Sequence, residues 1–213
     1  MNALLKTVLL FCISVSAWAN EAPLEKIRIA TDVPALERGA DVLMNACHSC
    51  HSMKYIKYRD LASLGMDKKK VDAWRGEQPL DAALLAQMSE SDAMQAFGKA
   101  PPDLSLMTKA RDGGSNYVFS YLVGYYLSSD GIPSNHIYPE TKMPDPLGII
   151  GVTEAVQVTA IRGKALDVVS FLAWAADPHE SERIRLGYYV IAYLIVLTVL
   201  LYFVKNQIWS KLK

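Results

Sequence analysis

The apolar positions of this chain recur at helical rather than strand spacing. Leu36, Gly39 or Ala40, Leu43 and Met44 fall three to four residues apart, so residues 34–46 are expected to form a short amphipathic helix. In KALDVVSFLAWAADP, residues 164–178, Val168, Phe171, Leu172 and Ala175 stand at i, i+3, i+4 and i+7. That helix should stop at Asp177-Pro178, because proline cannot continue it. Gly39, with no side chain, would let the two helices approach closely. Helical patterns also run over residues 81–97 and 115–127, separated by Pro-rich and Gly-rich turns with little strand signal. The expectation is an all-α head without internal repeats or low-complexity segments.

Two apolar runs lie outside this pattern. Residues 186–204, LGYYVIAYLIVLTVLLYFV, carry no charge, and as a helix they would cover about 28 Å, enough to cross a bilayer core. Tyr188, Tyr189 and Tyr193 mark one interface of such a span, and Tyr202 and Trp209 the other. Lys205, Lys211 and Lys213 follow with no acidic residue beside them, which puts the tail on the cytoplasmic side. Residues 1–19 offer Lys6, the run VLLFCISVSAW and small residues at Ala17 and Ala19, the signature of a cleaved signal peptide. The predicted organisation is therefore a leader (1–19), an external head (20–185), a transmembrane anchor (186–204) and a cytoplasmic tail (205–213). In a bacterium this is a single-pass protein of the inner membrane with its head in the periplasm.

Composition sharpens this picture only when divided among the segments. The whole chain is formally neutral, but all 22 acidic residues and all but four of the 22 basic ones fall within residues 20–185. The head is thus mildly acidic, which favours basic partners and gives no footing for nucleic acid. Of three cysteines, Cys12 leaves with the leader, so a disulfide framework is excluded beyond one tight bridge between Cys47 and Cys50.

Those two cysteines stand in NACHSCHSM, and Cys-x-x-Cys-His is the spacing at which two thiols on one turn reach both vinyl groups of a haem. Cys47 and Cys50 would form thioethers, and the adjacent imidazole of His51 would be the proximal iron ligand. A thioredoxin-like dithiol would need a strand before the motif and a βαβ frame, which ALERGADVLMNA does not offer. A zinc site would want a second ligand pair, and His48, His136 and His179 show no matching spacing. The head reads as a cytochrome c-like helical haem domain carrying one covalent haem c. For the sixth ligand, Met44 and Met53 lie too close to the motif to reach the opposite face, and Met88 and Met94 fit a core role. Met143, in ETKMPDPLG, stands on a proline-flanked loop suited to holding one thioether, with the other methionines as rivals. His48 and His136 read as surface or loop residues, Trp174 as core, and Lys68, Lys69 and Lys70 as a solvated turn.

Four longer stretches, ERGADVLMNACHSCHSMKYIKYRDL (37–61), PPDLSLMTKARDGGSNYVFSYLVGY (101–125), KMPDPL (142–147) and KALDVVSFLAWAADPHESERIRLG (164–187), resemble the cytochrome c1 family. The resemblance implies that Cys47, Cys50 and His51 take the haem and that Met143 is the sixth ligand. It also implies that Pro101 and Pro102 pack on the haem, and that Arg111 and Tyr117 hold a propionate. A guanidinium suits that last task, since it offers two aligned donors to a carboxylate. Lys142 and Asp145 depart from the family's more apolar and proline-rich pattern around the methionine, and residues 62–100 match poorly.

The role implied is that of the redox subunit of a proton-translocating quinol–cytochrome c oxidoreductase, the cytochrome bc1 complex, with no substrate chemistry of its own. Its donor would be the Rieske iron-sulfur protein and its acceptor a cytochrome c. The anchor would pack beside cytochrome b in a dimeric complex. Two other readings are a free-standing, membrane-tethered cytochrome that shuttles electrons to an oxidase, and a haem sensor with an open iron that would bind carbon monoxide.

Overall fold

The computed structural model describes residues 22–211, so the expected leader at residues 1–19 lies outside the described residues. Helix α1 (Val33–Val42) begins where the Asp32 carboxylate accepts a hydrogen bond from the Ala35 amide at 3.0 Å, with Pro34 in the first turn. It buries Ala35, Leu36, Gly39 and Ala40, the expected face. It ends five residues before the first thiol, Cys47, and a wider π-helical turn over Leu43–Cys47 carries the chain onward to it. Such turns are rare and often stand at functional sites.

The partner of α1 is helix α6 (Ala155–Ala176), longer at its start than its periodic half suggested and ending as expected at Asp177. Val168, Phe171, Leu172 and Ala175 are all buried along it. The two helices touch at Gly39: a Cβ there would sit 2.1 Å from the Asp167 carbonyl oxygen, so only glycine fits. Beside this crossing the Arg38 guanidinium donates to both oxygens of the Asp167 carboxylate at 2.8 and 3.0 Å. Helix α5 (Gly114–Val123) packs on the other side of α6.

Between these helices the structure corrects several expectations. The pattern over residues 81–97 resolves into strand β2 (Ala83–Leu84) and helix α4 (Glu90–Phe97). Strand β2 pairs antiparallel with β1 (Met53–Lys57). The pattern over 115–127 breaks at Gly124, after which β3 (Tyr125–Leu127) pairs with β4 (Pro133–Asn135). The head is thus helical with two small ribbons. Lys68, Lys69 and Lys70 open helix α3 (Lys68–Arg75), which follows the short α2 (Tyr58–Ser63). The Lys70 ammonium is not merely solvated: it lies 2.8 Å from Glu37 and 2.7 Å from Asp41, tying α3 to α1. Met94 is 51% exposed rather than core, and Met88 is half-buried.

One core unites these elements around Leu43, Met53, Ile56, Leu61, Val71, Leu84, Val168, Val169 and Phe171. Each such fully buried side chain contributes about 1.5–3 kcal/mol through removal of apolar surface from water. Helix α7 (Glu180–Ser210) behaves oppositely: no residue of it is buried. Its 31 residues enclose the expected span at 186–204 and are long and apolar enough to cross a membrane. At its base the Asp177 carboxylate receives Lys109 at 2.6 Å and Arg183 at 2.5 Å, linking head, α6 and α7.

Candidate functional site

Beside the meeting of α1, α5 and α6 lies a cavity of about 510 Å³, within the usual range for a ligand pocket. Cys47, Cys50, His51, Pro101, Pro102, Arg111, Tyr117 and Met143 all line it. The eight residues come from four separate stretches of the chain, and the fold brings every one to the same space. Leu104, Val118, Leu122, Val168 and Leu172 supply apolar walls. Among the described residues no aspartate or glutamate lines the cavity, whereas Lys99, Arg111 and Lys142 do.

One wall is built from main-chain bonds. After the π-helical turn, the Cys50 and His51 amides donate to the Cys47 carbonyl at 3.1 and 2.9 Å, which turns both thiols and the imidazole toward one cavity. His51 Nδ1 donates to the Pro102 carbonyl at 2.7 Å in the tautomer that this oxygen demands. Nε2 is then the nitrogen left for a metal. Burial holds His51 below the ordinary imidazole range, against the opposing pull of the Pro102 carbonyl and of Asp103. The neutral imidazole is the form that ligates iron. The next residues are fastened as firmly: the Leu104 amide donates to the Ser52 carbonyl at 2.9 Å, and the Tyr55 amide to Ser105 Oγ at 3.1 Å.

Among the described residues Cys47 and Cys50 are free thiols, not the single bridge that the sequence left open. Burial, with a smaller contribution from Cys50, pushes the Cys47 thiol up to about 11. A redox dithiol needs a lowered thiol pKa, so this environment speaks against thioredoxin-like chemistry. Among the described residues no group of three or more His, Cys, Asp or Glu side chains is arranged to hold a metal ion.

The opposite wall has a different construction. Met143 is half-buried in an irregular segment between β4 and α6 and packs against the core. Its amide donates to Thr141 Oγ1 at 3.2 Å, and its carbonyl accepts from the Tyr125 hydroxyl at 3.2 Å. Tyr125 also lies 3.0 Å from the Tyr121 hydroxyl, which in turn bonds Thr141 Oγ1. Burial and the Tyr121 contact push the Tyr125 phenol far above its ordinary range, so it remains a protonated donor. Arg111 stands before a sharp turn in which Gly113 takes φ +84° and Gly114 φ +56°, values that favour glycine. Among the described residues its guanidinium has no carboxylate partner, although it borders the cavity. Tyr117, half-buried, stacks on Tyr121 with ring centroids 6.3 Å apart.

These features fit a haem: paired thiols for its vinyl groups, a fixed imidazole tautomer, apolar walls, and a cation free to meet a propionate. Met107 also lines the cavity, so among the described residues two methionines, Met107 and Met143, remain as candidates for the second axial position.

Sequence reasoning missed three features here. His48 lies in a turn, as a loop residue would, but not at the surface: it is 5% exposed, and among the described residues neither ring nitrogen has a hydrogen-bond partner. Burial lowers its pKa. The hydroxyl cluster of Tyr121, Tyr125 and Thr141 was silent because Thr141, which completes it, lies 20 residues beyond Tyr121. Asp145, noted only as a departure, accepts hydrogen bonds from the amides of Leu147 (3.2 Å), Gly148 (3.0 Å) and Ile150 (2.8 Å).

Comparison with known proteins adds independent findings. The model of the cytochrome C1 family matches residues 18–212. A cytochrome c1 of Rhodospirillum rubrum is 32% identical, over 85% of this chain and 83% of the relative. A cytochrome c1 of Allochromatium vinosum is likewise 32% identical, over 84% of this chain and 85% of the relative. A protein of Bradyrhizobium diazoefficiens named cytochrome b/c1 is 30% identical, over 91% of this chain but 35% of the relative.

Proposed function

The chain belongs to the cytochrome c1 family, and we propose that it takes electrons one at a time from a Rieske iron-sulfur protein and delivers them to a cytochrome c. Membership makes it the electron-transfer haem subunit of a cytochrome bc1 complex, carrying covalently bound haem c. The observation that carries the finer reading is the convergence of Cys47, Cys50, His51 and Met143 on one cavity. There the Pro102 carbonyl holds the His51 tautomer that leaves Nε2 free.

When bound, haem supplies reversible one-electron iron chemistry, and thioether ligation favours the reduced state. The chain's own part is to hold and to shield. Cys47 and Cys50 would attach the ring, His51 and Met143 would ligate its iron, and Pro101 and Pro102 would close on it. Arg111 and Tyr117 would meet a propionate, and the apolar walls would keep water from the metal. Outer-sphere transfer asks for no general acid, base or nucleophile, only a rigid group with an accessible edge.

Helix α7 anchors the head as a single-pass membrane protein. The lysines after it favour a cytoplasmic C-terminus and a periplasmic head. In the membrane α7 would pack beside cytochrome b. The fused name of the Bradyrhizobium relative supports that neighbour. By the family resemblance the complex would be a dimer. Encounters with the soluble partner must be brief, so the docking surface should bury less than about 1,200 Å².

The test is purification of the full chain from detergent-solubilised membranes, read by reduced-minus-oxidised spectra and mass spectrometry. Recovery of c-type haem with b-type haem and a Rieske protein is expected. Recovery of c-type haem alone, in a monomer still competent in electron transfer, would instead favour the free-standing tethered cytochrome.

A further inference from the structure

The segment that presents Met143 to the cavity contains almost no backbone pairing. Among the described residues, no amide between Met143 and Gly151 donates to a backbone carbonyl. The hydrogen bonds that these amides do make all go to side chains. The Met143 amide goes to Thr141 Oγ1, and those of Leu147, Gly148 and Ile150 go to the Asp145 carboxylate. Pro144 and Pro146, on either side of Asp145, have no amide to offer. Upstream of Met143 the hydroxyls of Tyr121, Tyr125 and Thr141 hold the chain. Downstream, Asp145 alone performs that task, with one oxygen serving Leu147 and Gly148 and the other Ile150.

From this geometry we propose that Asp145 is a positioning residue: its carboxylate folds residues 145–150 into the turn that keeps the Met143 thioether aimed into the cavity. The inference rests on Met143 being the sixth ligand. An ionised carboxylate accepting amide hydrogen bonds forms charge-assisted bonds, stronger than neutral ones. A soft ligand on an irregular segment stays in place only if that segment has one preferred conformation. Gly148, at φ +69°, completes the turn in a conformation that favours glycine. Two clamps of different chemistry therefore flank the methionine, and loss of either should loosen it selectively, while His51 on its main-chain support stays in place.

The experiment compares ferric and ferrous holoprotein of the wild type, Met143→Leu, Asp145→Asn and Asp145→Ala. The wild-type and Met143→Leu spectra test the ligand assignment itself: the sulfur-to-iron band in the red should be present in the first and absent in the second. Asp145→Ala tests the inference. It should lose most of that band, show a lower midpoint potential, and gain carbon monoxide binding that the ferrous wild type lacks. Asp145→Asn keeps one carbonyl oxygen for Leu147 and Gly148 but loses the acceptor for Ile150, so it should fall between. It carries the test if Asp145→Ala yields no holoprotein. An Asp145 variant that melts earlier yet keeps the wild-type band, potential and indifference to carbon monoxide overturns the proposal, since a purely structural role moves only the melting temperature.

Discussion

The two walls of the cavity proposed to take the haem are held by different physics. On the His51 side, support is main-chain and helical: the π-helical turn, amide bonds back to Cys47, and α1 pressed on α6 at Gly39. On the Met143 side, hydroxyls and one carboxylate do what backbone pairing does opposite. Main-chain support is cooperative with the whole core, so it fails only when the fold fails. Side-chain support can be removed one group at a time, so this wall is where the redox properties can be tuned without unfolding the head.

The severest way to break that contrast is at Gly39. Valine there would drive its Cβ into the Asp167 carbonyl, and more than about 4 kcal/mol of destabilisation is expected, enough to abolish holoprotein accumulation. Haem-stained gels of membranes would check this, and a wild-type yield would contradict it.

The same side has a pH-dependent weakness. Burial lowers the His48 pKa in the folded head, so the unfolded chain takes up the proton first. Stability should be full above about pH 6.5 and decline as pH drops below it, with a slope of up to about 1.4 kcal/mol per pH unit. Denaturant melts of the holoprotein at pH 7.5 and 5.5 should show this, and His48→Leu should flatten the dependence.

On the other wall, Tyr125→Phe removes the hydroxyl that donates to the Met143 carbonyl and should cost about 0.5–1.5 kcal/mol. The red-region band should weaken as well, whereas the Gly39 change destroys haem binding altogether. The smallest effect belongs to the cavity's mouth. Arg111→Leu removes a cation from beside the cavity and should lower the midpoint potential slightly, with partial rescue by Arg111→Lys, as a redox titration would show.

How far the sequence revealed this molecule depended on whether the cause was local. The buried face of α6 could be read because its periodicity lies in consecutive turns, and Gly39 because close helix packing has one common solution. Cys-x-x-Cys-His is legible because covalent haem attachment needs only one short turn. Lys70 misled because its partners, Glu37 and Asp41, lie on another helix. Met94 misled because the apolar face expected of residues 81–97 belongs to a segment that breaks into a strand and a shorter helix. His48 sits between two thiols that both face the cavity, and nothing in its neighbours signals that it is buried. Asp145 was visible as an oddity, but its three amide partners exist only once the turn has formed.

The central claim is that one haem is held between His51 and Met143. The direct measurement is the red-region absorbance of the ferric holoprotein, wild type beside Met143→Leu. The account predicts a sulfur-to-iron band in the wild type and none in the variant, which should also bind carbon monoxide when reduced. A variant that keeps the band would contradict the assignment and point to Met107, the other methionine lining the cavity.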